Sequence, residues 1–533
     1  MKKTLLPLLL AVGSLTPFIP AVAEPQVSPA ALETLVIQEG GRKKPYLVFA
    51  EETLRSLSGK TTVTLDGSRV PAMDLITGIW MNPDPSWRGK ELILISNRPL
   101  KNELGLDATK KLFTWNDLST NGVLTREITA AAETRRRDPR AKLAGLQKEA
   151  SDVGLRMGLF ESLMNGDIFR VRPSTDGPNW TAPTADEYPL SELRGAWFGG
   201  SQGFFDKTAS EYPPRVALTG ESPARWRILL EVGYQKAHPF RWAWILYAAA
   251  GIILLVSRSS WERRGYQLAW VLAGSGFLLQ AAGLLARVLI AGRPPVTNMY
   301  ESVIWVAFGT ILFALIFEAV YRAGSFLLGA VPVAVASMIL ADSQPMILDR
   351  SIHPLTPVLR DNFWLTTHVL SITLSYAAFA LALGVAHVAL GRIIAGRKPS
   401  DILYTYLYKT LQVGVLLLAT GTILGGVWAN YSWGRFWDWD PKETWALIAL
   451  IGYLFLLHGR ISGMWGGFGL AVGAVIAFLS VLMAWYGVNF VLGAGLHSYG
   501  FGTGGFPLVA TFVGLEVAFV ALAFMQRRHL PSV

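Results

Sequence analysis

LTTHVLSITLSYAAFALALGVAHVALG, residues 365–391, decides the fold: 27 consecutive residues without one Asp, Glu, Lys or Arg. As a helix this run rises about 40 Å, more than the roughly 30 Å hydrocarbon core of a bilayer. Eight further apolar runs accompany it, near 240–257, 266–290, 300–321, 325–341, 407–428, 444–459, 467–491 and 508–526. The expected fold is therefore an all-α polytopic membrane domain of about nine transmembrane helices, residues 237–533, preceded by a soluble α+β domain, residues 24–236. Charge divides the chain at the same place. Residues 1–238 hold 30 Lys/Arg and 27 Asp/Glu, whereas residues 239–533 hold only 18 and 11. The net charge of +10 then reflects membrane topology and gives no reason to expect nucleic acid.

Orientation follows from two separate signals. Lys2 and Lys3 precede the apolar run Leu5 to Val12, and Ala21-Val22-Ala23 supplies small residues of the kind signal peptidase cuts after. Residues 1–23 thus read as a signal peptide, with the mature chain beginning near Glu24 outside the cytoplasm. Nine crossings then leave the C-terminus inside. The inner segments so defined carry Arg258, Arg263, Arg264, Arg322, Arg392, Arg397, Lys398, Arg460, Arg527 and Arg528, against Arg293, Arg350, Arg360, Arg435 and Lys442 outside. Ten against five obeys the positive-inside rule. The expected location is the bacterial inner membrane, with the N-terminal domain periplasmic and the C-terminus cytoplasmic.

In the exported domain, Thr62 to Leu65 and Glu91 to Ile95 read as strands. Ala130 to Asn165 reads as helix interrupted at Pro139, and Pro173 to Pro183 and Gly195 to Gly203 read as loops. It shows no nucleotide-binding glycine fingerprint, metal-ligand cluster or nucleophile motif, and no histidine precedes His238. Docking or positioning is the expected role. The chain has no cysteine, so it has neither disulfides nor thiol chemistry of its own.

The segment Trp428 to Trp445, WANYSWGRFWDWDPKETW, holds five of the chain's 19 Trp in 18 residues and falls on the outer side. Tryptophan gathers at membrane interfaces, so an anchoring belt in the lipid is the plain reading. A belt needs no particular order, however. Here Trp433, Trp437 and Trp439 alternate with Gly434, Asp438, Asp440 and Glu443, an aromatic shelf edged by carboxylates and suited to a flat apolar ligand.

The order Trp433-Gly434-x-x-Trp437-x-Trp439-Asp440-Pro441-Lys442-Glu443-Thr444-Trp445-Ala446-Leu447 resembles the tryptophan-rich signature of haem-handling proteins. Its ending is similar to the CcsA (ResC) family of cytochrome c biogenesis proteins; the related CcmC and CcmF proteins share the core with other endings. Thr297-Asn298-Met299-Tyr300-Glu301-Ser302 and Trp364-x-x-x-His368-Val369, followed by Ser375-Tyr376-Ala377, also resemble that family. The likeness is good over about 290–500. Gly41-Arg42-x-Lys44-Pro45 is similar to a segment that precedes this region in some long members.

The resemblance implies haem b as cofactor and histidines as axial ligands of its iron. His368 opens the fifth span at its outer end, and His497 lies in the outer loop Gly493 to Gly502; the family implies that they clamp the iron from opposite faces. His458 lies roughly 22 Å along the helix from Glu443, near the inner face, where the family implies a histidine that receives haem from the cytoplasm. Its partner ligand in two-component relatives belongs to a CcsB (ResB) membrane protein. His387, about 28 Å along the helix from His368, is a second inner candidate at a similar depth, with a plain polar residue beside the headgroups as the blander reading. Arg293, Arg360, Arg435 and Lys442 could pair with haem propionates. Arg287 and Glu318 are expected to snorkel from span ends, and Glu516 falls inside the ninth span, where an ionisable group usually pairs or lines a cavity.

What the family implies is attachment of haem to the Cys-x-x-Cys-His motif of apocytochrome c by a holocytochrome-c synthase-like activity. That chemistry rests on positioning and on reduced iron, and thiol-reducing proteins would serve it. An exporter or chaperone that relays haem without forming thioethers would share the shelf and the histidines. An ordinary solute transporter would show two repeated halves, and no repeat is visible.

Overall fold

The computed structural model describes residues 27–138, 143, 145–174, 178–216, 223–257, 262–344, 347–355, 360–492 and 505–529. The expected signal peptide and His497 lie outside these residues. The chain divides into two compact units, Met1–Val232 and Gly233–Val533.

The first unit contains three antiparallel strand pairs: β1 (Val36–Glu39) with β2 (Arg42–Pro45), β3 (Thr62–Leu65) with β4 (Ser68–Pro71), and β5 (Glu91–Leu94) with β6 (Leu112–Thr114). Asp66 and Gly67 both take positive φ, 50° and 82°, which fits the right-handed twist of the strands they join. Helices α1 (Tyr46–Ser58), α2 (Ala72–Met81), α3 (Arg98–Glu103), α4 (Trp115–Ser119), α5 (Gly122–Arg137), α6 (Gly145–Asn165), α7 (Leu190–Phe198) and α8 (Gln202–Val216) follow, and α9 (Arg225–Ala237) leads into the second unit. The core is aromatic, with Trp80 stacked on Phe169 at 4.6 Å beside Tyr46 and Phe49. The Gly41 to Pro45 motif is structural here: Arg42 forks onto Glu231 at 2.9 and 2.7 Å, and Lys44 joins Glu39 to Glu52. Gly195 to Gly203, expected as loop, is helical except at 199–201, because Leu190, Leu193 and Ala196 bury one helical face.

The second unit contains α10 (Pro239–Val256), α11 (Glu262–Ala291), α12 (Met299–Tyr321), α13 (Ser325–Ser343), α14 (Asn362–Ile394), α15 (Asp401–Trp433), α16 (Pro441–Ile461), α17 (Gly467–Leu492) and α18 (Phe506–Arg527). Among the described residues, nine stretches are long and apolar enough to cross a membrane, the first running from α9 through α10. Helix α14 is the centre: 72% of its apolar window is buried, against 11% for α18. Its Ala, Gly and Ser residues let α12, α13, α15 and α17 come close. A methyl group on Gly384 would sit 2.1 Å from Gly329 O of α13, so that crossing tolerates no side chain.

Neither Arg287 nor Glu318 snorkels. Arg287 is 1% exposed and donates to Glu301 Oε1 through Nε at 3.2 Å and Nη2 at 2.6 Å, and to Arg350 O at 3.0 Å. Glu301 Oε2 accepts from the N–H and hydroxyl of Thr297, whose neighbour Asn298 caps α12. Ser302 accepts from Trp485 Nε1 at 2.8 Å. The Thr297 to Ser302 motif is thus a buried clasp between helix ends. Glu318, fully buried, accepts from the N–H groups of Gly324, Phe326 and Leu327 and from the Tyr266 hydroxyl, completing the start of α13.

Candidate functional site

Residues 434–440 are the non-helical part of the tryptophan segment, because α15 runs on to Trp433 and α16 starts at Pro441. Gly434 ends α15 with φ 72°, a conformation glycine takes without cost. Asp440 and Glu443 form a capping box at the start of α16. Asp440 Oδ2 accepts from Lys442 N at 3.1 Å, and Glu443 Oε2 accepts from the N–H groups of Asp438 and Asp440 at 2.9 and 3.3 Å. Of the three carboxylates read as edges of a shelf, Asp440 and Glu443 therefore hold backbone amides. Asp440→Ala should cost the start of α16 about 1 kcal/mol, seen as faster proteolysis between Trp433 and Trp445; unchanged cleavage would count against the cap.

Two rings of the loop, Phe436 and Trp439, are exposed, while Trp437 is half-buried. Trp439 is 70% exposed on a backbone at φ 55°, unusual for a bulky residue, and meets Trp437 edge-on at 5.9 Å. Trp433 is half-buried, and Trp445 packs partly against the core. Arg435 pairs with Asp438.

His368 lies within a π-helical turn, Leu365–Val369, at the start of α14. Such turns disturb the α-helical hydrogen-bond ladder and are frequent at functional sites. Its Nδ1 is 2.8 Å from Gly421 O of α15. A carbonyl only accepts, so the proton is on Nδ1 and the lone pair on Nε2. The ring meets Trp428 edge-on at 5.7 Å, and Trp428 stacks with Trp364 at 6.4 Å. A methyl on Gly425 would approach His368 Cε1 to 2.5 Å, and one on Gly426 would meet Phe436 at 2.5 Å. The same turn of α15 therefore carries both the imidazole and a ring of the tryptophan loop. Gly425→Ala should displace the His368 ring and reduce ligand binding while leaving membrane insertion intact; wild-type binding would show that the ring position is immaterial.

His458 is exposed near the far end of α16, its Nδ1 2.8 Å from Leu454 O. His387 Nδ1 likewise faces Leu383 O at 2.8 Å, but this ring lines a half-open cavity to which α16 contributes nothing. The two inner candidates are not brought together. His353 is an exposed partner of Asp349 at 2.7 Å. Sequence reading did not single out Trp428 as a neighbour of His368, nor Gly425. The spacing Gly421-x-x-x-Gly425-Gly426 was the available signal, since small residues in a membrane helix mark a close approach.

The model of the cytochrome C assembly protein family matches residues 296–497. The chain is 34% identical over 306 residues to the cytochrome c biogenesis protein CcsA of Synechococcus sp. (strain CC9902), covering 49% of this chain and 98% of that protein. It is 27% identical over 518 residues to protein NrfI of Wolinella succinogenes, covering 88% of this chain but 54% of NrfI, so it spans about half the length of that relative. Among solved structures it is similar to the cytochrome c haem lyase CcmF, with TM-score 0.40 and 15% identity over 55% of this chain and 50% of that one. At that level the likeness adds nothing to the assignment.

Proposed function

Because the chain belongs to the CcsA-type cytochrome c biogenesis family, we propose that it binds haem b beside the Trp437–Trp439 pair and attaches it to the Cys-x-x-Cys-His motif of apocytochrome c. The observation that carries the reading is His368, whose Nδ1 is held by Gly421 O in a π-helical turn beside Trp428. An axial imidazole needs that arrangement, a ligating nitrogen backed by a hydrogen bond from the other. His497 is the proposed ligand on the opposite face. Trp433, Trp437, Trp439 and Trp445 supply aromatic surface for the ring, and the exposure of Trp439 leaves one side open to the apocytochrome.

In the attachment step each cysteine S–H adds across one haem vinyl group: sulfur bonds one carbon, the proton goes to the other, and the C=C bond becomes single. Reduced iron and reduced thiols favour this addition, so the protein contributes by holding the vinyl edge at contact distance. No cysteine of this chain competes for the vinyl groups. Thiol-reducing proteins would keep the apocytochrome pair reduced.

The reading places the tryptophan loop and the N-terminal domain in the periplasm and the C-terminus in the cytoplasm of a bacterial inner membrane. A CcsB/ResB-type membrane protein suits the α16 face on which His458 lies, because Ile448, Ile451, Phe455 and Ile461 continue it as an exposed stripe at helical spacing. Co-expression with a Cys-x-x-Cys-His cytochrome tests the function. Haem-stained cytochrome supports attachment, while haem-loaded protein that never yields it favours an exporter or chaperone. Trp437→Ala with Trp439→Ala should lower bound haem roughly tenfold, from two ring contacts of about 0.5–1.5 kcal/mol each, with normal membrane insertion. Undiminished haem would return these rings to an anchoring role.

A further inference from the structure

A half-open cavity of about 1010 Å³ lies within the membrane unit, bordered by residues of α10, α12, α13, α14, α17 and α18. Its wall is mainly apolar, with Val303, Leu383, Phe478 and Phe512 among its residues. It follows α14 from Tyr376 to Arg392, sixteen residues or about 24 Å of helix. One leaflet supplies half of a roughly 30 Å hydrocarbon core, about 15 Å, so an acyl chain fits lengthwise. The two ionisable groups partway along the wall meet each other. His387 has Nδ1 2.8 Å from Leu383 O and Nε2 3.0 Å from Glu516 Oε2, so both ring nitrogens face acceptors and the pair joins α14 to α18.

The unanswered charge is at the end of the cavity. Helix α14 closes with a Schellman cap: the N–H of Gly396, at φ 70°, donates to Ile393 O at 2.9 Å, and that of Arg397 to Arg392 O at 2.8 Å. The cap turns the chain back so that Arg397 joins Arg392 in lining the cavity. It also occupies two carbonyls at the negative end of the helix dipole, which would otherwise repel an anion. Both arginines are exposed, and neither has a carboxylate partner among the described residues. Ser257, which follows α10, adds a hydroxyl to the lining; the first and fifth spans run in the same direction, so it stands on the same side of the membrane. A wholly apolar occupant would leave two cations unanswered, and a small anion would leave the apolar wall unfilled. An acyl chain carried by an anionic headgroup answers both. Basic residues gathered between membrane helices on the cytoplasmic side are the arrangement that holds acidic lipid headgroups.

We infer that this cavity binds an anionic phospholipid of the inner leaflet, its phosphate between Arg392 and Arg397 and one acyl chain along α14. The choice of leaflet rests on the orientation proposed above, whereas the site itself needs no haem. The chain adds packing surface to α18, of whose apolar window only 11% is buried by protein.

The test uses the full chain, purified in detergent, stripped of lipid and titrated with palmitoyl-oleoyl phosphatidylglycerol or phosphatidylcholine, with bound lipid per chain read by native mass spectrometry. Phosphatidylglycerol should bind tighter by about fivefold or more, and Arg392→Gln with Arg397→Gln should bring the two lipids within about twofold. Arg263→Gln with Arg264→Gln removes as much charge from the same side of the membrane, at the start of α11 and outside the cavity lining, and should keep the preference. Ala336→Trp, on the cavity wall, should weaken binding of both lipids. Equal affinities in the wild type, a preference that survives loss of Arg392 and Arg397 or falls equally with Arg263 and Arg264, or undiminished binding in Ala336→Trp would overturn the site. So would inorganic phosphate that raises the melting temperature as much as phosphatidylglycerol does, since the arginines would then serve a free anion. Labelling of Lys398→Cys by an impermeant maleimide from the periplasmic side would overturn the inner-leaflet assignment. All these readings hold for protein with or without haem, so failure of this site and failure of the haem reading are distinguishable.

Discussion

Glu301→Gln destabilises the membrane unit by about 3–5 kcal/mol. Arg287 is 1% exposed and its guanidinium faces one carboxylate, so neutralising that carboxylate strands a cation where water cannot reach it. The same carboxylate accepts two bonds from Thr297 at the start of α12, so the damage also reaches the helix terminus. Replacing both partners, Arg287→Met with Glu301→Gln, should recover much of the loss, because the penalty is the orphaned charge rather than the missing pair. Thermal unfolding of the detergent-solubilised protein checks this. A single variant as stable as wild type, or a double variant no better than the single, would contradict it.

His368→Gly should cut holocytochrome yield by at least about tenfold, since removing a ligand outright ought to exceed the roughly 10–100-fold effect of disturbing a ligand's supporting bond. Glycine leaves a space the size of an imidazole between Trp428 and Gly425. Added imidazole should therefore restore part of the yield. His368→Phe fills the same space without a nitrogen, so it should stay inactive with imidazole present. Full yield from either variant without imidazole would remove His368 from the iron.

Among the described residues, the nine stretches long and apolar enough to cross a membrane were legible because each run is long enough to span and most are flanked by Arg or Lys. The true length of α15 was not: its apolar run reads as 407–428, yet the helix begins at Asp401, with Leu403, Tyr404 and Tyr406 buried. The Asp440-x-x-Glu443 pattern carried the capping-box signature, but five tryptophans around it drew the reading toward a ligand surface. Arg287, Glu301 and Glu318 were visible as charges in or beside apolar runs. Their partners were not, because Arg350 O and Tyr266 reach them only through helix packing. His387 and Glu516 came from two separate spans for the same reason, and the π turn at His368 has no counterpart in local composition.

The most direct test of the central claim is the ferric absorption spectrum of the haem-loaded protein. The account predicts a low-spin, two-imidazole spectrum that turns high-spin in His368→Gly and returns to low-spin when imidazole is added. An identical low-spin spectrum with and without His368, or a preparation that carries no haem, would contradict it.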